Sequence, residues 1–144
     1  MDYGYFWHTM NVKIVNNSNN LLPAYESDGA AGMDVRANLS ENIVLKAGER
    51  ILIPTGLFIS LPSNIECQVR PRSGLALKKG ISVINTPGTI DSDYRGEIGV
   101  ILINLSQESV TIEPKERIAQ LVFCPVIKVN LIESNSLDTT ERGI

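Results

Sequence analysis

Four segments of this sequence carry side chains suited to chemistry. The densest is residues 80–97, Gly-Ile-Ser-Val-Ile-Asn-Thr-Pro-Gly-Thr-Ile-Asp-Ser-Asp-Tyr-Arg-Gly-Glu. It gathers the amide of Asn85, the carboxylates of Asp91 and Asp93, the phenol of Tyr94 and the guanidinium of Arg95. Ordinary turn chemistry accounts for Asn85, Pro87 and Gly88 one at a time, but not for the whole set. Loops held by a rigid sheet are where binding chemistry concentrates. The second segment is Pro71-Arg72-Ser73, which opens a short helical pattern. A helix N-terminus offers free N–H groups and partial positive charge, a seat for phosphate, and Arg72 adds a fixed bidentate charge. The plainer reading is a capping Ser73 beside a surface Arg72. The third segment, Ala31-Gly32-Met33-Asp34-Val35-Arg36-Ala37, sets one carboxylate among small and apolar residues. Asp34 either pairs with Arg36 at the surface, sits near a cation, or holds an arginine of the site. The fourth, residues 117–123, places Gln120 among apolar neighbours, where it serves as a structural bridge or a ligand contact.

Composition removes several classes of mechanism. The single histidine is His8, outside every patterned segment, so a Ser-His-Asp triad, a Cys-His pair and a histidine-rich metal site are excluded. Any base is then a carboxylate, and any metal a hard ion held by oxygen. Cys67 and Cys124 lie far apart with no Cys-x-x-Cys, which suits two free thiols in a reducing cytoplasm. The net charge of −3 argues against a nucleic-acid or anionic-membrane surface, and no apolar run reaches the ~20 residues of a membrane span.

The elements that must position these groups read as strands. Short β-prone runs recur at 12–15, 32–37, 43–45, 50–53, 57–61, 65–70, 81–84, 98–105, 110–112, 117–123 and 126–132, with turn residues between them. That spacing predicts an all-β sandwich or barrel. Residues 81–84 and 98–105 read as the arms of a hairpin, turning at Asn85-Thr86-Pro87-Gly88 through a type II turn with positive φ at Gly88. One stretch, 73–80, reads as a helix, with Ser73 at the N-cap and Gly80 beyond its end. In the second arm, Ile98, Val100 and Leu102 oppose Gly99, Ile101 and Ile103, so both faces are apolar. The expectation is that one face packs against another subunit or lies under a long loop. Residues 1–9 carry no signal-peptide pattern and are expected to form an extension without assigned function; Met10 is a candidate alternative start. Residues 10–134 form a single domain, and 135–144 a polar linker.

Taken in order, these segments resemble the homotrimeric deoxyuridine triphosphate nucleotidohydrolases, the dUTPases. The first motif of that family resembles residues 31–37, the second Pro71-Arg72-Ser73-Gly74-Leu75-Ala76, the third residues 80–97 and the fourth Glu116-Arg117-Ile118-Ala119-Gln120. The resemblance implies a distorted jelly-roll, β-barrel-like fold of β-clip type with one short helix, assembled as a trimer with active sites at subunit boundaries. It implies Mg²⁺-assisted hydrolysis of dUTP to dUMP and pyrophosphate. By the same resemblance Asn85 and the backbone at Gly88, Thr89, Ile90 and Gly99 bind the nucleoside, Tyr94 packs on the deoxyribose, and Asp91 activates water. Arg72, Ser73 and Gly74 of a neighbouring subunit hold phosphates with Gln120 nearby, and Asp34 reaches Mg²⁺ through water. A uracil site built of matched donors and acceptors leaves polar groups unpaired against cytosine, which gives discrimination.

Two departures stand out. The family's fourth motif begins Gly-Glu-Arg, whereas this chain has Lys115-Glu116-Arg117, so a changed, type I turn is expected after Pro114. Of the fifth motif, Arg142-Gly143 is present, followed only by Ile144. A chain truly without the glycine-rich arm is expected to bind triphosphate weakly and turn over slowly. The competing readings are a dCTP deaminase of related fold, and a non-catalytic nucleotide-binding trimer.

Overall fold

The computed structural model describes residues 9–143, so the expectation for residues 1–9 falls almost wholly outside it. Eleven strands and one helix follow in the order β1 (Lys13–Asn16), β2 (Met33–Arg36), β3 (Ile43–Leu45), β4 (Arg50–Pro54), β5 (Leu57–Ser60), β6 (Ile65–Arg70), α1 (Ser73–Lys79), β7 (Ile81–Val83), β8 (Gly88–Ile90), β9 (Gly99–Asn104), β10 (Val110–Ile112) and β11 (Arg117–Pro125). Every pairing is antiparallel. The sheets are ordered β1-β5, β10-β3, β2-β11-β6-β8 and β4-β9-β7, a jelly-roll type of β architecture rather than a closed barrel.

Two of these sheets build the chemistry. In the four-stranded sheet, β11 lies between β2 and β6, which brings Gln120 opposite both Asp34 and Arg70. In the three-stranded sheet, β9 is central between β4 and β7. Its inner face, Ile98, Val100 and Leu102, is at most 2% exposed. Each such side chain contributes about 1.5–3 kcal/mol by leaving water, so the foot of the 80–97 segment is firmly rooted. Asn104 closes β9 as a buried polar node, donating from Nδ2 to the carbonyls of Leu45 and Glu108 while its Oδ1 accepts from Ser106.

The hairpin expectation is half right. Its arms do pair, Ser82 opposite Ile103 and Val83 opposite Leu102. The tip is not a simple turn, because Gly88–Ile90 leaves for the other sheet as β8 and pairs with Cys67, Gln68 and Val69 of β6. The expected type II turn does not form: the Thr86–Pro87 bond is cis, and Gly88 is not among the glycines with positive φ. A side chain at Gly88 would crowd Val69, its Cβ reaching 3.3 Å from that of Val69, so glycine permits the close crossing of the two strands.

Three further expectations need correction. Ser73 is the first helical residue and not the cap; Arg72 takes the cap position with extended φ −96 and ψ 131 and no side-chain capping bond. The residue after Pro71 is extended, and its carbonyl accepts the first helical bond, from Ala76. Residues 126–132 form no strand, because β11 ends at Pro125 and the apolar positions from Ile127 onward stay exposed. Finally, Lys115 does not change its turn. At φ 66 it occupies the left-handed conformation that glycine favours, and the Glu116 N–H donates to the Glu113 carbonyl at 3.2 Å. Pro114 followed by positive φ is a type II turn, and Lys115 adopts it because both its backbone groups are pinned to the end of β2.

Candidate active site

The first half of the site lies where β8 crosses β6. A cavity of about 170 Å³ is lined by Val69, Asn85, Gly88, Thr89, Ile90, Asp91, Tyr94, Glu97, Ile98 and Gly99. Ligand pockets for drug-sized molecules run to ~300–1,000 Å³, so this one suits a single ring system and not a whole nucleotide. All the residues singled out for nucleoside contact in residues 80–99 meet here. Val69, Glu97 and Ile98 were missed, and the signal for Val69 lies in β6, whose partner in the sheet is invisible without the fold.

The loop after β8 is shaped by its own backbone. The Tyr94 N–H donates to the Asp91 carbonyl at 3.1 Å, closing a turn that leaves the Asp91 side chain exposed at the rim. Tyr94 folds back over Gly96, where any Cβ would strike its ring and hydroxyl. Arg95, part of the polar set noted in the sequence, is committed to the loop itself, donating to the carbonyls of Ser92 and Tyr94.

The second half is separate. Arg72, Ser73 and Gln120 line a shallow depression of about 520 Å³ with Gln68, Arg70, Pro71, Ala76, Thr86 and Pro87. Gly74 stands in the exposed first turn of α1, with nothing within 4 Å of where its Cβ would be. The N–H groups of this first turn lack helical partners, as in any helix. Gln120 proves to be a bridge: its Nε2 donates to the Pro71 carbonyl at 2.9 Å, holding the approach to α1. Gly32 makes room for it, since a Cβ there would collide with Gln120 Oε1.

Asp34 resolves among its alternatives as the holder of an arginine. Its Oδ1 accepts from Arg72 Nε at 3.0 Å and its Oδ2 from Arg117 Nη1 at 3.3 Å. Arg36 does not pair with it, and donates instead to the Lys115 carbonyl. Arg117, quoted in the fourth motif but given no role there, is thus the second partner of Asp34. At the other end of α1, Lys79 Nζ meets Glu116 Oε1 at 3.2 Å. Arg142 sits on the exposed C-terminal segment and lines neither cavity.

Comparison with known proteins identifies the family. The dUTPase family model matches residues 18–144. The chain belongs to the dUTPase family. Among curated dUTPases, the deoxyuridine 5'-triphosphate nucleotidohydrolase of Fusobacterium nucleatum is 57% identical over 132 residues, covering 92% of this chain and 90% of that protein. The enzyme of the same name from Cytophaga hutchinsonii is also 57% identical, over 135 residues covering 94% and 88%. A solved dUTPase of Staphylococcus bacteriophage 80alpha with dUpNHpp superposes at TM-score 0.81 with 24% identity, covering 94% of this chain and 95% of that one. A dUTPase from phage phi11 of S. aureus, described with a structural Mg(II) ion, superposes at 0.80 with 20% identity over 90% and 100%. This dUTPase-family chain therefore shares its fold with them.

Among the described residues no group of three or more His, Cys, Asp or Glu side chains converges on a metal position. Magnesium is usually held by one or two carboxylates, several waters and substrate phosphates, so a lone carboxylate fits an ion that arrives with a triphosphate. Asp34 keeps lone pairs beyond the two given to arginine, enough to accept from a metal-bound water.

The cysteines belong to the scaffold. Cys67 faces Phe123 across the strand pair while Cys124 faces Glu66, so the two thiols lie on opposite faces of the sheet and both are free. Burial, with the neighbouring Cys124 and Glu66 adding to it, pushes the Cys67 thiol up to about 12.

Proposed function

We infer that this chain, as a dUTPase-family member, hydrolyses dUTP to dUMP and pyrophosphate, and we propose that it does so as a homotrimer with sites at subunit boundaries. The observation that carries the proposal is the division of the site. The ring-sized cavity holds Asp91, and the arginine-lined depression is a different surface of the same chain. In the proposed trimer a second copy brings its Arg72 to the Asp91 of its neighbour.

In this reading the Asn85 amide and the main chain of Gly88, Thr89, Ile90 and Gly99 bind uracil, and the Tyr94 ring lies against the deoxyribose. Asp91 takes a proton from water as its oxygen attacks the α-phosphorus, and the bond to the departing pyrophosphate breaks. A general base of this kind contributes ~10²–10⁴-fold. Arg72, Ser73 and Gly74 of the neighbouring copy hold the phosphates, with Gln120 and Arg142 beside them. Asp34 fixes Arg72 and would accept from a water on magnesium; when bound, that ion offsets phosphate charge. The product supplies dUMP, and the reaction keeps uracil out of DNA.

Two surfaces support assembly. On the outer face of β9, Ile101 stands between Leu52, 62% exposed, and Ile84, 42% exposed, an apolar stripe that no loop among the described residues covers. Beyond β11, Ile127, Val129 and Leu131 alternate with polar residues and are 75–90% exposed, the pattern of a strand awaiting a partner. Free thiols at Cys67 and Cys124 fit a reducing compartment such as the cytoplasm. Among the described residues no helix is long and apolar enough to cross a membrane.

Pyrophosphate release with Mg²⁺ should be rapid from dUTP and far slower from dCTP, dTTP and UTP. Ammonia released from dCTP, with dUTP left intact, would overturn the assignment. The Asp91→Asn variant should bind dUTP and not cleave it.

A further inference from the structure

We propose that Glu97 is a positioning residue for sugar selectivity, acting through Tyr94; this rests on the nucleoside-cavity reading above. Tyr94 is 45% exposed, on a loop between β8 and β9 without regular structure. An exposed aromatic ring on such a loop excludes a ribose hydroxyl only if something fixes it. Its hydroxyl donates to the main-chain carbonyl of Glu97 at 2.8 Å.

Glu97 is itself clasped. Its Oε1 accepts from the Gly56 N–H at 2.7 Å, a bond to a charged acceptor and hence among the stronger kind. The residue after it, Ile98, is held by two bonds, to the first residue of β5 and to the β4–β5 connection: its N–H donates to the Leu57 carbonyl at 2.8 Å, and its carbonyl accepts from Thr55 Oγ1 at 2.6 Å. Thr55 is 1% exposed, so the connection is part of the core. Gly56, at φ +71, is wedged with its Cβ position 2.9 Å from Ser18 and bonded through its carbonyl to the Asn17 N–H. The peptide that carries the tyrosine's acceptor is thus held to the core from two sides, by the Glu97 carboxylate on the Gly56 N–H and by the Ile98 N–H on the Leu57 carbonyl.

The base-reading side of the cavity is anchored differently, by the pairing of β8 with β6. Removing the Glu97 carboxylate takes away one of these two holds and so loosens the Tyr94 tether while leaving the base contacts in place, so sugar selectivity falls and base selectivity does not. A residue that merely stabilised the fold would alter both or neither.

The test compares kcat/KM for dUTP, UTP and dCTP in the parent, Glu97→Ala, Glu97→Gln and Tyr94→Phe proteins, with thermal melts of each. Glu97→Ala should lower the dUTP-to-UTP ratio about tenfold, the order expected for one lost hydrogen bond to a charged group, with an unchanged dUTP-to-dCTP ratio. Glu97→Gln keeps an oxygen for the Gly56 N–H and should stay within about threefold of the parent. Tyr94→Phe loses the tether from the other side and should shift the same ratio. The double variant Glu97→Ala/Tyr94→Phe should lose no more selectivity than the larger single loss, because the carboxylate acts only through the tether that Tyr94→Phe removes. Equal losses on dUTP and UTP, an unchanged ratio in Glu97→Ala, or additive losses in the double variant would overturn the role and leave dUTP hydrolysis standing. A parent protein that does not cleave dUTP would overturn both.

Discussion

Replacing Lys115 with glycine should stabilise this protein without altering its chemistry. Lys115 sits at φ 66 with its side chain exposed, so glycine removes no packing. Its backbone cannot relax, since its N–H donates to the Ala37 carbonyl at 3.0 Å and its carbonyl accepts from Arg36 at 2.9 Å. An L-residue held in the left-handed region costs about 1–2 kcal/mol. Against that, glycine loosens the unfolded chain by about 0.4–1 kcal/mol. The difference spans about 0–1.6 kcal/mol with a middle value of about 0.8, or a rise of a few degrees in melting temperature for a chain of this size. Urea unfolding of parent and Lys115→Gly, at one fixed protein concentration, reads the gain as a higher midpoint at unchanged slope. The kcat for dUTP should stay the same. An unchanged or lower midpoint would refute the strain argument, and would mean that the lysine side chain supplies something its exposure does not reveal.

The Gly32→Ala variant should push Gln120 off the Pro71 carbonyl, weakening phosphate binding and costing about 1–3 kcal/mol of stability; unaltered KM and melting temperature would refute that packing. Cys67 should resist alkylation in the native protein at pH 8, so that thiol titration finds at most one reactive group per chain. Its folded value of about 12 lies above the ordinary 9.0, so above pH 9 the unfolded thiol loses its proton while the folded one keeps it. Stability from this group is therefore intact below pH 9 and falls as pH rises, by about 1.4 kcal/mol per unit. Cys67→Ala should flatten the alkaline stability profile, and a slope identical to that of the parent would contradict the burial argument.

Much of the fold was legible because strands alternate and turns punctuate. The bounds of Ile43–Leu45, Ile65–Arg70 and Val110–Ile112 follow directly from β-branched runs between breakers. What was not legible depends on partners remote in sequence. β8 is three residues behind Pro87, too short to declare itself, and exists because β6 offers it an edge. The segment after Pro125 alternates as a strand does, but finds no pairing strand among the described residues. Lys115 reads as an ordinary turn residue, and its positive φ comes from bonds to Ala37 and Arg36. In the candidate site, Asn85, Asp91 and Tyr94 drew notice because their polar types cluster locally, whereas Gly88, Thr89, Ile90 and Gly99 came only from the family resemblance. Arg117 was given no role because its link to Asp34 spans the register of β2 against β11.

The composite site is tested most directly by mixing two variants. Asp91→Asn lacks the proposed base and Arg72→Ala the proposed phosphate grip, so each alone should release little pyrophosphate from dUTP. Unfolded and refolded together, they should regain activity, because mixed trimers contain some sites with Asp91 from one copy and Arg72 from another. Activity in the mixture no greater than the average of the two separate variants would contradict a site shared between copies.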